Sequence, residues 1–437
     1  MQERPQLLSA LDLLRKGGAL AAEVLLTRKE WLEQSGSRVP VVAGGSVGWE
    51  VRGWKAGGAT GVGAAASLEG AVERALTALG TALPDPFAGP ADRQDVRTAG
   101  LSTSDRRYPS IEQADRVELL ELCERAFEKS STRSAAVFRL QRLHYRQERV
   151  HRSWASSRGA DLSDSSTTFS LSGAAEFADG RSVLQVLASR HFSDVASLPF
   201  GMDLRRRAEP LTRPLSGPIP DRPLLIEPRA MAELARALAP AFAADHSGFV
   251  HRMITSGTAA TRNYDPLRLA PPLLHMTDDA GLHSGLYTVA FDDRSVTPVP
   301  LTLLREGVIG AQCHSPETAR ADGTRATGHV RNGKIQASNL VIRPGSRTRN
   351  MIRAELGELL VLDAPPPLNL DTGRLEGPAQ ILHVRDGETI GFYAVLFDIG
   401  ILEFLAGVVE FAADQERHIG VDTPTGVWDR LRDSSGS

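Results

Sequence analysis

Residues 273–345 carry only short apolar runs, LTLL (301–304), VIGA (308–311) and LVI (340–342), each with turn-forming residues at its borders. The breaks are Asp278-Asp279, Asp292-Asp293, Arg305-Glu306-Gly307 and Arg331-Asn332-Gly333. These lengths and borders predict antiparallel strands joined by tight connections, with one short helical piece over residues 316–321. Both acid pairs fall at strand borders. That placement predicts solvated turn caps, with general acid–base chemistry as the rival reading.

At 437 residues the chain exceeds what one hydrophobic core usually holds, which predicts two domains. The clearest boundary is LRRRAEPLTRPLSGPIPDRP (204–223), with prolines at 210, 214, 218, 220 and 223 that oppose helix and central strand. The expected division is 1–215 and 221–437. The expected fold class is α+β: an N-terminal domain of helices and antiparallel sheet, then a mostly antiparallel β domain with a long helix at its start. Arg205-Arg206-Arg207 reads as a solvated face, or alternatively as a grip for a peptide carboxylate or a partner.

A net charge of −3 gives no general pull toward nucleic acid or an acidic membrane surface. No apolar run approaches the roughly 20 residues that span a bilayer. The first residues also lack the charged, apolar, small order of a signal peptide. Two cysteines, Cys123 and Cys313, make no disulfide framework. The expected compartment is the cytoplasm.

In the N-terminal part, residues 6–15 read as an amphipathic helix and 22–27, 39–43 and 47–54 as strands, with Gly44-Gly45 as a hairpin turn. The letters GGSVG (44–48) also match a G-x-S-x-G nucleophile elbow. That device needs a helix after the turn, and more strand follows instead. Ser67 and Ser110 are N-cap candidates, the latter with Gln113 three residues on. The helix after Ser110 turns Val117, Leu120, Cys123 and Phe127 inward, and 137–145, 169–178 and 182–188 alternate as strands.

The order of pieces in 273–345 is an acidic pair, Gly281 to Gly285, Phe291-Asp292-Asp293, Glu306-Gly307, Thr318-Ala319-Arg320, Thr327-Gly328, and Asn339 to Gly345. This order resembles the C-terminal half of the TldD/PmbA family, whose members pair as TldD and TldE subunits of a metallopeptidase. Each piece alone is an ordinary turn, and the specificity lies in their sequence. In catalytic members of that family a helix carries His-Glu-x-x-x-His. Two imidazoles hold zinc and the Glu activates its water.

The corresponding helix here is EPRAMAELARALAPAFAAD (227–245), with Met231, Leu234, Leu238 and Phe242 on its apolar side. Matching LLIEP before it and AAD after it puts Ala235, Arg236 and Pro240 at the first His, the Glu and the second His. None can perform the role. The family's third ligand is a Cys near the C-terminus, where this chain has TPTGVWD (423–429).

The resemblance therefore implies a TldE-type subunit with no catalytic residues and no metal of its own. Zinc is expected in a TldD-like partner subunit, and the heterodimer would enclose a chamber for peptides or peptide-like intermediates. Several family pairs serve antibiotic or other specialised-metabolite pathways. Candidate cavity or partner residues are Asp292, Asp293, Arg320, Asn339 and Phe404. The last sits in IGILEFLAGVVEF (399–411), whose apolar density suits either a core or a partner surface. A scattered metal site is the weaker reading, with His275, His283, His314 and His329 as candidates beside Cys313, and with His246 and His251 poorly spaced for one helix face. The alternative function is a stand-alone peptide or small-molecule binding protein, or a metal-independent enzyme, using the same cavity.

Overall fold

The computed structural model describes residues 3–92, 103–129, 138–159, 161–245 and 270–429. The first sheet contains β1 (Ala21–Ser35), β2 (Val42–Trp54), β3 (Thr60–Ala65), β4 (Phe138–Ser156), β5 (Asp161–Phe177) and β6 (Ser182–Ser189). Its order is β3-β2-β1-β4-β5-β6, and every neighbouring pair is antiparallel.

Helices Arg4–Lys16 and Leu68–Thr81 bury Leu7, Leu11, Leu14, Val72 and Leu79 against Val24, Leu26 and Val51 of this sheet. Ser67 caps the second helix as expected, accepting from the Gly70 amide at 3.2 Å. A second cluster joins Leu120, Cys123 and Phe127 of helix Gln113–Lys129 to Tyr145, Phe169 and Leu171 of the sheet. Phe200 and Leu204 of helix Phe200–Ala208 complete it.

Four local expectations are corrected. Gly44-Gly45 is not a turn. β2 runs straight through it, and the chain reverses within residues 36–41. Gly44 faces Trp31 across the strands, and a Cβ there would lie 2.5 Å from the indole, so the glycine makes room for a ring. Ser110 closes a 3-10 turn by donating to the Arg107 carbonyl, while the helix start is held by Asp115 accepting from the Glu112 amide at 2.7 Å. The proline-rich stretch is helical in its first half, through Ala208 and a 3-10 turn over Glu209–Thr212, because its prolines begin only at 210. Nor is the whole arginine run a solvated face, since only Arg206 is exposed. Arg205 is 3% exposed and donates to the Phe127 carbonyl, and Arg207 pairs with Asp363 at 2.6 Å.

The second sheet begins with β7 (Leu224–Ile226), β8 (Met276–Asp278), β9 (Leu301–Arg305) and β10 (Val308–Ile309). β11 (Val330–Arg331) and β12 (Lys334–Ile335) form a separate ribbon. β13 (Leu340–Ile342), β14 (Glu358–Leu362), β15 (Leu368–Asn369) and β16 (Arg374–Arg385) follow, then β17 (Glu388–Gly400), β18 (Val408–His418) and β19 (Val421–Trp428). The order is β10-β9-β8-β13-β19-β7-β14-β16-β15, with β17 on β16 and β18 on β19. Only β13–β19 and β7–β14 are parallel, so the sheet is mixed and mostly antiparallel, and the fold class is α+β as expected.

The predicted turns do the connecting. Glu306-Gly307 and Asn332-Gly333 both adopt left-handed backbone, the pair of conformations that closes a two-residue hairpin. The short helix forms at Pro316–Ala321 behind a Ser315–Thr318 capping box. Among the described residues no helix is long and apolar enough to cross a membrane.

The helix at the start of this half covers Pro228–Leu238, shorter than 227–245. Pro240 has no N–H for the Arg236 carbonyl, and the chain tightens into a 3-10 turn over Ala239–Phe242. Met231, Leu234, Leu238 and Phe242 are all buried in one core with Leu340, Leu360 and Val421. Residues 399–411 divide among the end of β17, helix Ile401–Ala406 and the start of β18. Phe404 is 0% exposed, stacked on Trp428 at a centroid distance of 5.4 Å, so the chain's own core accounts for this apolar density. Phe404→Ala is expected to lower stability by about 3–5 kcal/mol in chemical denaturation, the cost of emptying a buried ring site. A loss below about 1 kcal/mol would mean that the ring is not a core element.

Candidate functional site

Helix Pro228–Leu238 presents Ala235 to the core and Arg236 toward the loops around β13 and β19. The Arg236 guanidinium donates to the carbonyls of Ser338 at 2.7 Å and Gly420 at 2.8 Å, and lies 4.6 Å from the Tyr287 ring centroid. Gly420 has φ +71° and sits so close to Arg236 and Tyr287 that any side chain would collide with both. Arg331 covers Tyr287 as well, at 5.1 Å. Ala235 and Pro240 offer no donor atom. Arg236 brings a permanent positive charge whose fork is already engaged on carbonyls. These positions do not fit a zinc ion.

Next to this clamp, β8 ends on Asp278, which is 0% exposed. Its carboxylate accepts from the Ser338 amide at 2.5 Å, the Asn339 amide at 3.0 Å and the Ser338 hydroxyl. Its Oδ2 also lies 3.1 Å from His329 Nε2. Cys313 is 0% exposed, with burial pushing its thiol up. It is anchored through its amide to the Phe242 carbonyl at 2.7 Å. One ligand atom each from Asp278, Cys313 and His329 lies within 4.8 Å of the others.

Asn339 is fully buried one residue on. It accepts from the Tyr287 amide at 2.9 Å and donates to Thr288 Oγ1 and the Asp279 carbonyl. The second acid pair lies where this half meets the N-terminal sheet. Asp292 is 1% exposed and accepts from the amides of Arg294, Val296 and Val330 at 2.8–2.9 Å. Burial pushes its carboxyl up to about 6, against three N–H donors that favour the ionised form. Asp293 accepts from the Asn332 amide, and its own carbonyl takes Arg52 of β2 at 2.9 Å. Arg152 of β4 forks onto Asp164 at 2.6 and 3.0 Å and donates to the Phe291 carbonyl. Arg320 reaches back to the Phe87 carbonyl at 2.8 Å.

The expectation of solvated turn caps is thus half right. Both pairs cap turns, but Asp278 and Asp292 do so in the interior, because further donors arrive from segments 38 to 61 residues along. Of the scattered metal candidates, the fold joins Cys313 and His329 and adds Asp278. His314 instead faces Asp322 at 3.7 Å, His283 is exposed, and His246 and His251 lie outside the described residues. His314 lines a surface cavity of about 830 Å³ whose wall includes Pro298, Leu301, Gln312, Arg325 and Thr327. Sequence reasoning passed over this cavity.

The clamp gives a direct expectation. Arg236→Ala should lower stability by about 2–4 kcal/mol, since two buried carbonyls lose a charged donor. Arg236→Lys should recover less than half of that, because an ammonium lacks the planar face that stacks on Tyr287. Denaturant midpoints of the three proteins check it, and a loss under about 0.5 kcal/mol in the alanine variant would contradict the clamp.

Residues 221–432 match the family model of the PmbA/TldA metallopeptidase C-terminal domain. No curated protein matches the chain. In fold the chain is similar to a protein of Thermotoga maritima described as a candidate modulator of DNA gyrase, at 18% identity and TM-score 0.80, covering 98% of this chain and 99% of that one. A protein of Bacteroides thetaiotaomicron with the same description is similar at 15% identity and TM-score 0.80, with 98% of each chain covered. TldE from Thermococcus kodakarensis is similar at 17% identity and TM-score 0.79, covering 98% of this chain and 99% of that one. At such identities the likeness is one of fold. Over residues 221–432 the chain is therefore similar to the C-terminal domain of the PmbA/TldA metallopeptidases.

Proposed function

We propose that this chain is the non-catalytic, substrate-shaping subunit of a TldD/TldE-type heterodimeric peptidase, paired with a TldD-like subunit that brings the zinc. The observation that carries this reading is Arg236, whose guanidinium is bonded to the Ser338 and Gly420 carbonyls, flanked by Ala235 and followed by Pro240. A helix built this way can hold loops in place. It cannot supply two imidazoles and a general base. The fold likeness to a TldE supports the same assignment. The substrate class is a peptide or peptide-like intermediate, and the division near residue 220 separates the two domains of the subunit.

One observation favours a second reading, a stand-alone binding protein. The 830 Å³ cavity beside His314 is large enough for a small ligand without any partner.

Purification alone and with a TldD-like protein carrying an intact His-Glu-x-x-x-His separates the readings. The chain alone is expected to hydrolyse no peptide. The pair should co-elute from a size-exclusion column and cleave unfolded peptides in a zinc-dependent way. Hydrolysis by the isolated chain, or failure to pair with such a protein, would overturn the proposal.

A further inference from the structure

The buried triad calls for an explanation that the peptidase reading does not give. Thr327 Oγ1 accepts from the His314 amide at 2.8 Å and lies 3.2 Å from the His314 carbonyl and 3.0 Å from His329 Nδ1. The hydroxyl has one proton to give. Donated to the His314 carbonyl, it leaves Nδ1 of His329 as the donor and turns the Nε2 lone pair toward Asp278. Nε2 is fully buried and has no hydrogen-bond partner, although Asp278 Oδ2 is only 3.1 Å away, because the approach lies off the direction an N–H would take. Two lone pairs this close need a cation between them. A proton would require alignment, whereas a metal ion held by a third donor lies off the line joining the two atoms.

We propose that Asp278, Cys313 and His329 form a buried zinc site that ties β8, the segment after β10 and the residue before β11 together. The donor set is one carboxylate oxygen, one thiolate and one imidazole, the mixture that suits zinc among divalent ions. On binding, Cys313 releases its proton to solvent and the Zn–S bond forms. Asp⁻, Cys⁻ and Zn²⁺ then sum to zero charge, so the filled site places no net positive charge beside the nearby Arg331 guanidinium. The supporting groups are in place, with Thr327 fixing the imidazole and Ser338 and Asn339 fixing the carboxylate. All three ligands are 0% exposed, so no substrate reaches the ion and its role is structural. The site is independent of pairing, and a subunit that finds no partner would still hold its metal.

The test uses the full chain, stripped with a chelator and titrated with Co²⁺ as a spectroscopic stand-in for zinc. One equivalent should bind, with a near-ultraviolet thiolate-to-cobalt band and a rise in thermal midpoint. Cys123→Ser should keep the band and Cys313→Ser should abolish it. Thr327→Val, which touches no metal, should weaken binding about 10- to 100-fold by releasing the imidazole. Absence of stoichiometric metal in the folded wild type overturns the proposal. So does a bound ion without the thiolate band, or one retained in Cys313→Ser. Should that variant fail to fold, the wild-type spectrum beside Cys123→Ser decides alone.

Discussion

The Asp278 carboxylate is the contact on which the second half of the molecule depends. It gathers the Ser338 amide and hydroxyl and the Asn339 amide at the place where β8 pairs with β13. Both strands are three residues long. Strands this short bury little apolar surface, and ladder bonds alone would not fix their register. A fully buried carboxylate does fix it, because each donor that slipped away would leave charge unsatisfied at about 1–3 kcal/mol. Asp292 repeats the device for its own turn and the start of β11, and Asn339 for the loop at Tyr287. Residues 276–342 are held by polar latches more than by a continuous apolar face.

The latches are closed from outside by arginines in the N-terminal sheet or just after it. Arg52 and Arg152 reach the carbonyls of Asp293 and Phe291, and Arg190 reaches those of Gly285 and Thr288. A planar fork can serve several carbonyls at once while its flat face packs on a ring, as Arg152 does on Phe291 at 4.6 Å. Burial pushes Arg190 and Arg331 down to about 10, still charged at neutral pH, so these cations remain available as donors. Arg236 follows the same pattern from within the second half. Arg236 has thus joined the framework that holds the loops, so its replacement by Glu would remove a support as well as a charge.

Much of the frame was legible in the sequence for local reasons. Glu306-Gly307 and Asn332-Gly333 announce tight turns because few other residues accept left-handed backbone, and Ser315 followed by Thr318 marks a helix start. The apolar side of helix Pro228–Leu238 follows from spacing alone. What stayed hidden is whatever depends on distant segments. Asp278 and Asp292 look like surface turn residues until their donors arrive from across the fold. Gly44 looks like a turn until Trp31 is placed opposite it. Asp278, Cys313 and His329 follow no helical or strand period, so only the tertiary structure brings them together.

Polar latches as firm as a core leave a signature that native-state hydrogen exchange measures directly. The amides of Ser338, Asn339 and Val330, bonded to Asp278 and Asp292, should exchange only through global unfolding and report the same free energy as the core strand β14. If these amides exchange through low-energy local opening while β14 stays protected, residues 276–342 form an ordinary surface loop region and the central role given to the two carboxylates is wrong.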